Sequence, residues 1–599
     1  MDKKIISLLL SICVTFFLVL KTNIEPLISL LVLVVSFILI NYSFKHIKKK
    51  YNRLSIIVSI VLSIIYVICD SVEKTYMIDI FNRYLLLNIS GYFIIFYFSI
   101  MNLFRFMDDY IRKKSEDRKI YIQDKEIVND SKYSFIINFI LIFTISMLVL
   151  VKFYPGNLTY DSYNELMQAK GTIHLMNNHS VLHTSLLMLF VKFGMLFKSI
   201  NLGVFLFNTF QIIIMSLLFS YILYFMAKQN VPIIFRIVSL LFFAFHPIIV
   251  FYNICLWKDV LFSGCFVYLT ILIYKLSNDK DFFTSKKNII LFMLVSIVLM
   301  YLRNNGVYVV VISLIILSII YRKELKRVLP IFLGIVIIFI SSKMIIFDLC
   351  NIKDYEIKET LSFPSQSIAR IYKYDYDNLT KKEKNQIELF YTNKIGEVYN
   401  PIISDNTKNL LDQEYLLKHK KEYFKLNMSL FFKHSKRYIE SFVSNNYGYY
   451  YMNSYYPSII LQTNDEAGVK HVKVDTLYVL LFFVLIFVLL LLIMLWNLKE
   501  KRNILLFMLL LPIILSMSSS IRDNALISLL FNIGFYVTIT FLLLIYNIKN
   551  KKNIVYYIPT IILWVSILFS PVYSEFRYLY ALFLLVPIFI GITMKKIDE

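Results

Sequence analysis

Charged residues make up only 17% of this 599-residue chain, against 58% hydrophobic ones, too few for a soluble globular protein of such length to cover its surface. The bilayer must be its solvent. Cysteine is sparse too. Cys13, Cys69, Cys255, Cys265 and Cys350 lie for the most part within or beside apolar runs, with no CxxC spacing and no neighbouring His pattern, so neither a disulfide framework nor a zinc site is implied. A Walker A loop, a Rossmann glycine fingerprint and a GxSxG elbow are all missing, which removes support for ATP-driven transport and for serine hydrolysis. No Gly/Ser-rich or Pro-rich linker and no internal repeat divides the chain.

Acidic residues are outnumbered, 40 against 63 Lys and Arg, for a net charge of +23. The excess falls in short clusters between apolar runs rather than on one continuous face, so it reports membrane topology and not a nucleic-acid partner. Apolar runs predict spans at 5–20, 27–43, 54–70, 85–103 and 134–152, then at 203–226, 231–250, 259–275, 288–302, 304–321 and 328–346. Five more follow at 475–497, 503–520, 525–546, 553–571 and 577–594, about sixteen in all. Basic clusters at 46–53 (HIKKKYNR) and 105–125 set the N-terminus, and by parity the C-terminus, in the cytoplasm of a multi-pass cell-membrane protein. The run 181–197 is apolar enough to cross. If it crossed, the later basic links, YRKELKR at 321 among them, would lie outside, so it is read as an interfacial helix carrying Lys192 and Lys198.

Four units follow. Residues 1–131 hold four leading spans and a basic link, which look like an addition to a core beginning near Lys132; 132–346 form the membrane core, with a first outer loop at 153–202. Residues 347–474 form a polar, mostly helical extracytoplasmic domain, and 475–599 hold the last spans.

Polar chemistry concentrates in YPGNLTYDSYNELMQAKGTIHLMNNHSVLHT at 154–184. Asp161 follows a Pro155-Gly156 turn and stands at the start of a predicted helix through Ala169, as a cap or as a partly desolvated proton acceptor. His179 and His183, four apart, suit substrate or phosphate contacts, or have no role; a metal site would need a third ligand, such as Asp161 or His174. Further ionisable sets lie at outward helix ends: Lys258 with Asp259, Arg303 with Asn304 and Asn305, Arg522 with Asp523, and Glu575 with Arg577. Each alone reads as an anchor or a structural ion pair. Together at one membrane face, such cations suit a lipid-linked phosphate. The DYD triplet of Asp375 and Asp377 reads as a solvated loop.

The segments PGNLTYDS, NNHSVLHT, FHPIIVFYNICLWKDVLF, YLRNNGVYV, LSFPSQSIAR and SPVYSEFRYLYALFLLVP span Pro155 to Pro587. In their order and sidedness the chain resembles the GT-C class of integral membrane glycosyltransferases, and more closely an uncharacterised bacterial branch of it. The resemblance implies an all-α, GT-C-like polytopic fold and inverting transfer of a sugar from a polyprenyl-phosphate donor to a cell-envelope glycopolymer, lipid or protein. It implies Asp161 as the residue that activates the acceptor, Lys258, Asp259 and Arg577 as lining the donor cavity, and Arg303 and Arg370 as meeting phosphate or sugar hydroxyls. Ser162, not a second acid, follows Asp161, and the paired acidic motif that holds metal in oligosaccharyltransferases is missing, so no cofactor and no metal is expected. The competing readings are a transporter or flippase of lipid-linked saccharides, which would need charges deep in its helices and repeat symmetry, and a non-catalytic envelope-assembly scaffold.

Overall fold

The computed structural model describes residues 3–22, 26–45, 49–79, 83–116, 132–177, 179–279, 281–352, 357–452, 468–471, 528–569 and 571–595. Among them the chain is helical and contains no β-strand. Eight helices are long and apolar enough to cross a membrane, or nine if the bent pair Ile233–Phe245 and Pro247–Asn253 is one span, as expected of an all-α membrane protein. The expected spans at 475–497 and 503–520, the start of the one at 525–546, and Arg522 with Asp523 lie outside the described residues.

The leading helices are α1 (Lys3–Thr22), α2 (Pro26–Lys45), α3 (Lys49–Thr75) and α4 (Leu85–Glu116), followed by α5 (Lys132–Lys152). The first loop folds into α6 (Tyr160–Ala169) and α7 (Val181–Leu196), and the core continues through α8 (Ile200–Lys228), α9 (Ile233–Phe245), α10 (Pro247–Asn253) and α11 (Lys258–Asn278). Then come α12 (Lys286–Leu302), α13 (Asn304–Ile320) and α14 (Leu325–Leu349). A polar domain holds α15 (Ser362–Tyr374), α16 (Lys381–Tyr391), α17 (Asp405–Lys408), α18 (Lys420–Lys433) and α19 (Ser435–Asn446), and the chain ends in α20 (Ile533–Lys549), α21 (Ile558–Phe569) and α22 (Tyr580–Thr593). At 16 residues α7 is shorter than the roughly 20 that a hydrocarbon core requires. It packs on α8 where Gly194 and Gly203 bring the two backbones together; a Cβ on Gly194 would stand 2.5 Å from the Gly203 nitrogen.

Burial sorts the spans. The apolar window at α22 is 89% buried and that of α11 78%, whereas the span ending in α14 is 17% buried, so α11 and α22 form the centre and α14 the rim. One core runs from α3 to α22, while the polar domain has its own, built on Ile368, Ile371, Ile387, Phe390, Leu426 and Leu430.

The leading helices are joined to the rest at both ends of α3. At one end Asp70 pairs with Lys21 of α1, accepts from the Tyr92 hydroxyl of α4 at 2.9 Å, and accepts from Tyr451 just past α19 of the polar domain. At the other, Asp108 accepts from Tyr51 of α3 at 2.6 Å and from Tyr546 of α20 at 2.7 Å. About 28 Å of helix separates Tyr51 from Asp70, close to the hydrocarbon thickness of about 30 Å.

Arg370 departs from the expected donor contact. It is fully buried inside the polar domain, with Glu440 at 3.0 Å and the Tyr399 hydroxyl at 2.8 Å, and it donates to the backbone carbonyl of Tyr76 just past α3. The Ile78 amide donates to Glu440 at 3.1 Å. Arg370 thus fastens the polar domain to α3. Asp375, expected in a solvated loop, instead takes His434 at 3.0 Å and Arg437 at 2.9 Å.

What places the site is a loop pairing. The Asn157 amide donates to the Ile254 carbonyl at 2.9 Å and the Leu256 amide to the Asn157 carbonyl at 3.1 Å, an isolated parallel bridge. Two buried amides of α8 brace it: Asn208 donates to the Pro155 carbonyl at 3.0 Å, and Gln211 donates to those of Asn253 and Cys255 at 3.0 and 2.9 Å. The Trp257 indole donates to the Thr159 hydroxyl at 2.6 Å and the Ser162 hydroxyl to the Leu256 carbonyl at 2.8 Å. The starts of α6 and α11 are thereby held side by side. Only glycine fits at 156, where φ is +141° and a Cβ would stand 2.0 Å from the Asn208 amide nitrogen.

Gly156→Ala should therefore cost about 2 kcal/mol through strain and collision, and Gly171→Ala, at φ +75° with open space around it, about 1 kcal/mol; apparent unfolding temperatures in detergent give the order. Arg370→Met should cost about 3 kcal/mol by the same measurement, because it opens a buried ion pair.

Candidate functional site

A cleft of about 330 Å³ lies between the helix bundle and the polar domain. On the bundle side three helices start at it: α6 at Tyr160, α11 at Lys258 and α13 at Asn304. The first-turn N–H groups of a helix lack intrahelical partners and its start carries partial positive charge, so this wall favours an anion. Asp161, His179, Lys258, Asp259, Arg303 and Arg577 all line the cleft, so six of the eight residues expected from the sequence to meet acceptor or donor converge.

Arg577 is the hub. Its side chain is 4% exposed and is surrounded by three carboxylates: it pairs with Asp161, stands 2.8 Å from Glu575, and lies 3.9 Å from Asp259. Asp259 is taken in turn by Arg303 at 2.6 Å. Aromatic faces hold both guanidinium groups, with Trp257 and Tyr578 each 5.1 Å from Arg577 and Tyr578 4.6 Å from Arg303. The segment before Arg577 is pinned by the polar domain. Ser404, just ahead of α17, donates to the Val572 and Pro571 carbonyls at 2.8 and 2.9 Å, Tyr449 donates to Tyr573 at 3.0 Å, and the Ser574 hydroxyl donates to Asn445 at 3.1 Å.

The carboxylates differ in environment. Asp161 is 24% exposed and open to the cleft. Burial pushes its carboxyl up, but Arg577, then Lys258 and His179, outweigh burial and hold it below the usual carboxylate range. Glu575 is 2% exposed, and there burial wins over Arg577 and raises the carboxyl above that range. Beneath the cleft, burial of Glu165 is outweighed by His183 and His179, and its carboxyl is held low.

His183 does not reach the cleft. It is fully buried in the first turn of α7, its Nδ1 on Glu165, while His179 precedes the helix with Nδ1 3.6 Å from the same carboxylate. Although four apart, the two do not share a helix face, because Ser180 starts the helix between them, accepting from the His183 amide at 3.1 Å. Glu165 was missed, although it stands one helical turn beyond Asp161. The wall from the polar domain was missed as well: Lys408, 4% exposed, pairs with Glu359 and with Asp405 at 2.7 Å, and all three line the cleft. Their segments carry ordinary surface composition and offered no local signal. Among the described residues no three His, Cys, Asp or Glu side chains are grouped to hold a metal ion; where carboxylates do converge, Arg577 fills the space between them.

No curated protein and no solved structure matches the chain. One family profile, described as a family of unknown function (DUF6020), matches residues 165–597, taking in Lys258, Asp259, Arg303 and Arg577 and beginning just after Asp161. With well over half of its length matched, the chain belongs to that family of unknown function.

Proposed function

We propose that the protein is a GT-C-type membrane glycosyltransferase of about sixteen spans, moving a sugar from a polyprenyl-phosphate donor to a cell-envelope glycopolymer, lipid or protein at the outer membrane face. The observation that carries this reading is the carboxylate of Asp161, open to a cleft on whose bundle side Lys258, Arg303 and Arg577 and three helix starts gather.

The polyprenyl phosphate is already a good leaving group, so the reaction needs one base and positive charge around the departing oxygens. Asp161 takes the proton of the acceptor hydroxyl or amine as that atom bonds to the sugar's anomeric carbon. The bond from that carbon to the phosphate oxygen breaks on the opposite face, and its electron pair leaves with the polyprenyl phosphate, inverting the centre. Arg577, Arg303 and Lys258, with the starts of α11 and α13, receive the negative charge, so the step as drawn requires no metal. The arginines lie at helix ends, the depth at which a lipid phosphate sits.

The test is label transfer by the purified protein from a panel of polyprenyl-phosphate sugars to a crude envelope extract. Wild type should transfer and a folded Asp161→Asn should lose about 10³-fold, the range of a general base. Equal transfer by both would remove Asp161 from its role, and none from any donor would favour transport or scaffolding. The acid limb carries a second prediction. Asp161 acts as carboxylate, so transfer is present above its pKa and lost as pH falls through it. Since Lys258 helps hold that pKa down, Lys258→Gln should move the limb to higher pH, which initial rates against pH would reveal.

A further inference from the structure

Asp161 and an incoming phosphate compete for one cation. Arg577 lines the cleft where the donor phosphate would arrive, and its Nη1 is already paired with Asp161. The same pairing that keeps Asp161 ionised also neutralises it, leaving the carboxylate a poor proton acceptor until the guanidinium is drawn away. A phosphate that displaced Asp161 would still have to leave Arg577 anchored, since a freed guanidinium would follow the anion.

The structure holds such an anchor. Glu575 sits behind Arg577, away from the cleft lining, with its carboxylate 2.8 Å from Nε, the nitrogen facing away from the Nη1 shared with Asp161. Among the described residues neither Glu575 oxygen has a hydrogen bond, so the ion pair is what occupies the carboxylate. Asp259 cannot serve in its place, because Arg303 holds it at 2.6 Å and Arg577 lies 3.9 Å off. Resting on the glycosyltransferase reading, we infer that Glu575 is the positioning residue that retains Arg577 when the donor's phosphate displaces Asp161, so that donor binding releases the base. The donor class this selects is a lipid monophosphate or a similar compact anion, which can take a single Nη face, and the acceptor is deprotonated only after the donor is in place.

Binding of farnesyl phosphate to the full-length protein in detergent tests this, with farnesol and inorganic phosphate as arms separating the lipid from the anion. Asp161→Asn removes the competitor and should bind farnesyl phosphate about tenfold more tightly, or about 1.4 kcal/mol. Glu575→Gln should bind it about tenfold more weakly although it too removes a negative charge, and the double variant should lose the gain seen in Asp161→Asn. A simple field effect predicts tighter binding in both single variants, and that result would overturn the proposal. Glu575→Asp, which keeps the charge, should restore most of the binding and covers the case in which Glu575→Gln does not fold; a Glu575→Asp as weak as an unanchored arginine overturns it too. If neither wild type nor Asp161→Asn binds either phosphate, the donor reading itself fails; if the two bind alike, that reading stands and the competition for Arg577, with the anchor it requires, falls.

Discussion

A guanidinium cannot shed its proton at any ordinary pH, so an arginine that is 4% exposed must be met by carboxylates and aromatic faces. Arg577 draws its carboxylates from three parts of the chain: the first loop (Asp161), the start of α11 (Asp259) and the turn before its own helix (Glu575). Much of the surrounding architecture brings these together. The bridge between Asn157 and Cys255 sets α6 beside α11, and the polar domain's hydrogen bonds to 571–574 fix the approach to Glu575. The polar domain is therefore a structural wall of the cleft as well as the bearer of Lys408, Glu359 and Asp405.

The leading helices, which read as an addition in the sequence, enter the same framework. Tyr451, which binds Asp70 of α3, follows directly on the segment containing Tyr449 and Asn445, the partners of Tyr573 and Ser574. Arg370 and Glu440 grip the chain just beyond α3 from the polar domain's interior. Displacing α3 would thus strain the polar domain and, through it, the turn carrying Glu575.

Hydropathy made the helices legible because a span must satisfy its backbone internally over a fixed length. The site was half legible for a related reason: ionisable residues at apolar boundaries are costly, so Asp161, Lys258, Asp259, Arg303 and Arg577 stood out against a sparse background. Position alone does not name a partner, however. Arg370 carries the same charge as the cleft arginines, yet it lies in the polar domain and its carboxylate is 70 residues away in sequence on α19. Glu165 is 18 residues from His183 and is specified only once α6 and α7 pack together. Lys408 lies in the polar domain, where charge is common and carries no contrast.

The distribution of charge through the bundle bears on which kind of membrane protein this is. Asp70, Asp259, Arg303 and Arg577 stand at one end of the helices, and Asp108, with Tyr51 and Tyr546, at the other end of α3. Between them, the buried polar side chains of α8 and α11 include Ser216, Ser220, Ser263 and Thr270, which are neutral hydroxyls, and those of Ser220 and Thr270 donate to their own helix backbone. A carrier moving an anionic saccharide needs counter-charges or the N-termini of broken helices along its path, because an isolated phosphate at mid-membrane depth is costly. A transferase that works on a lipid phosphate needs them at one surface, where the phosphate already lies and the prenyl chain stays in lipid. Among the described residues the charges named here stand at helix ends, the arrangement that the proposed transfer reaction would use, and the polar domain covers the end that carries Arg577.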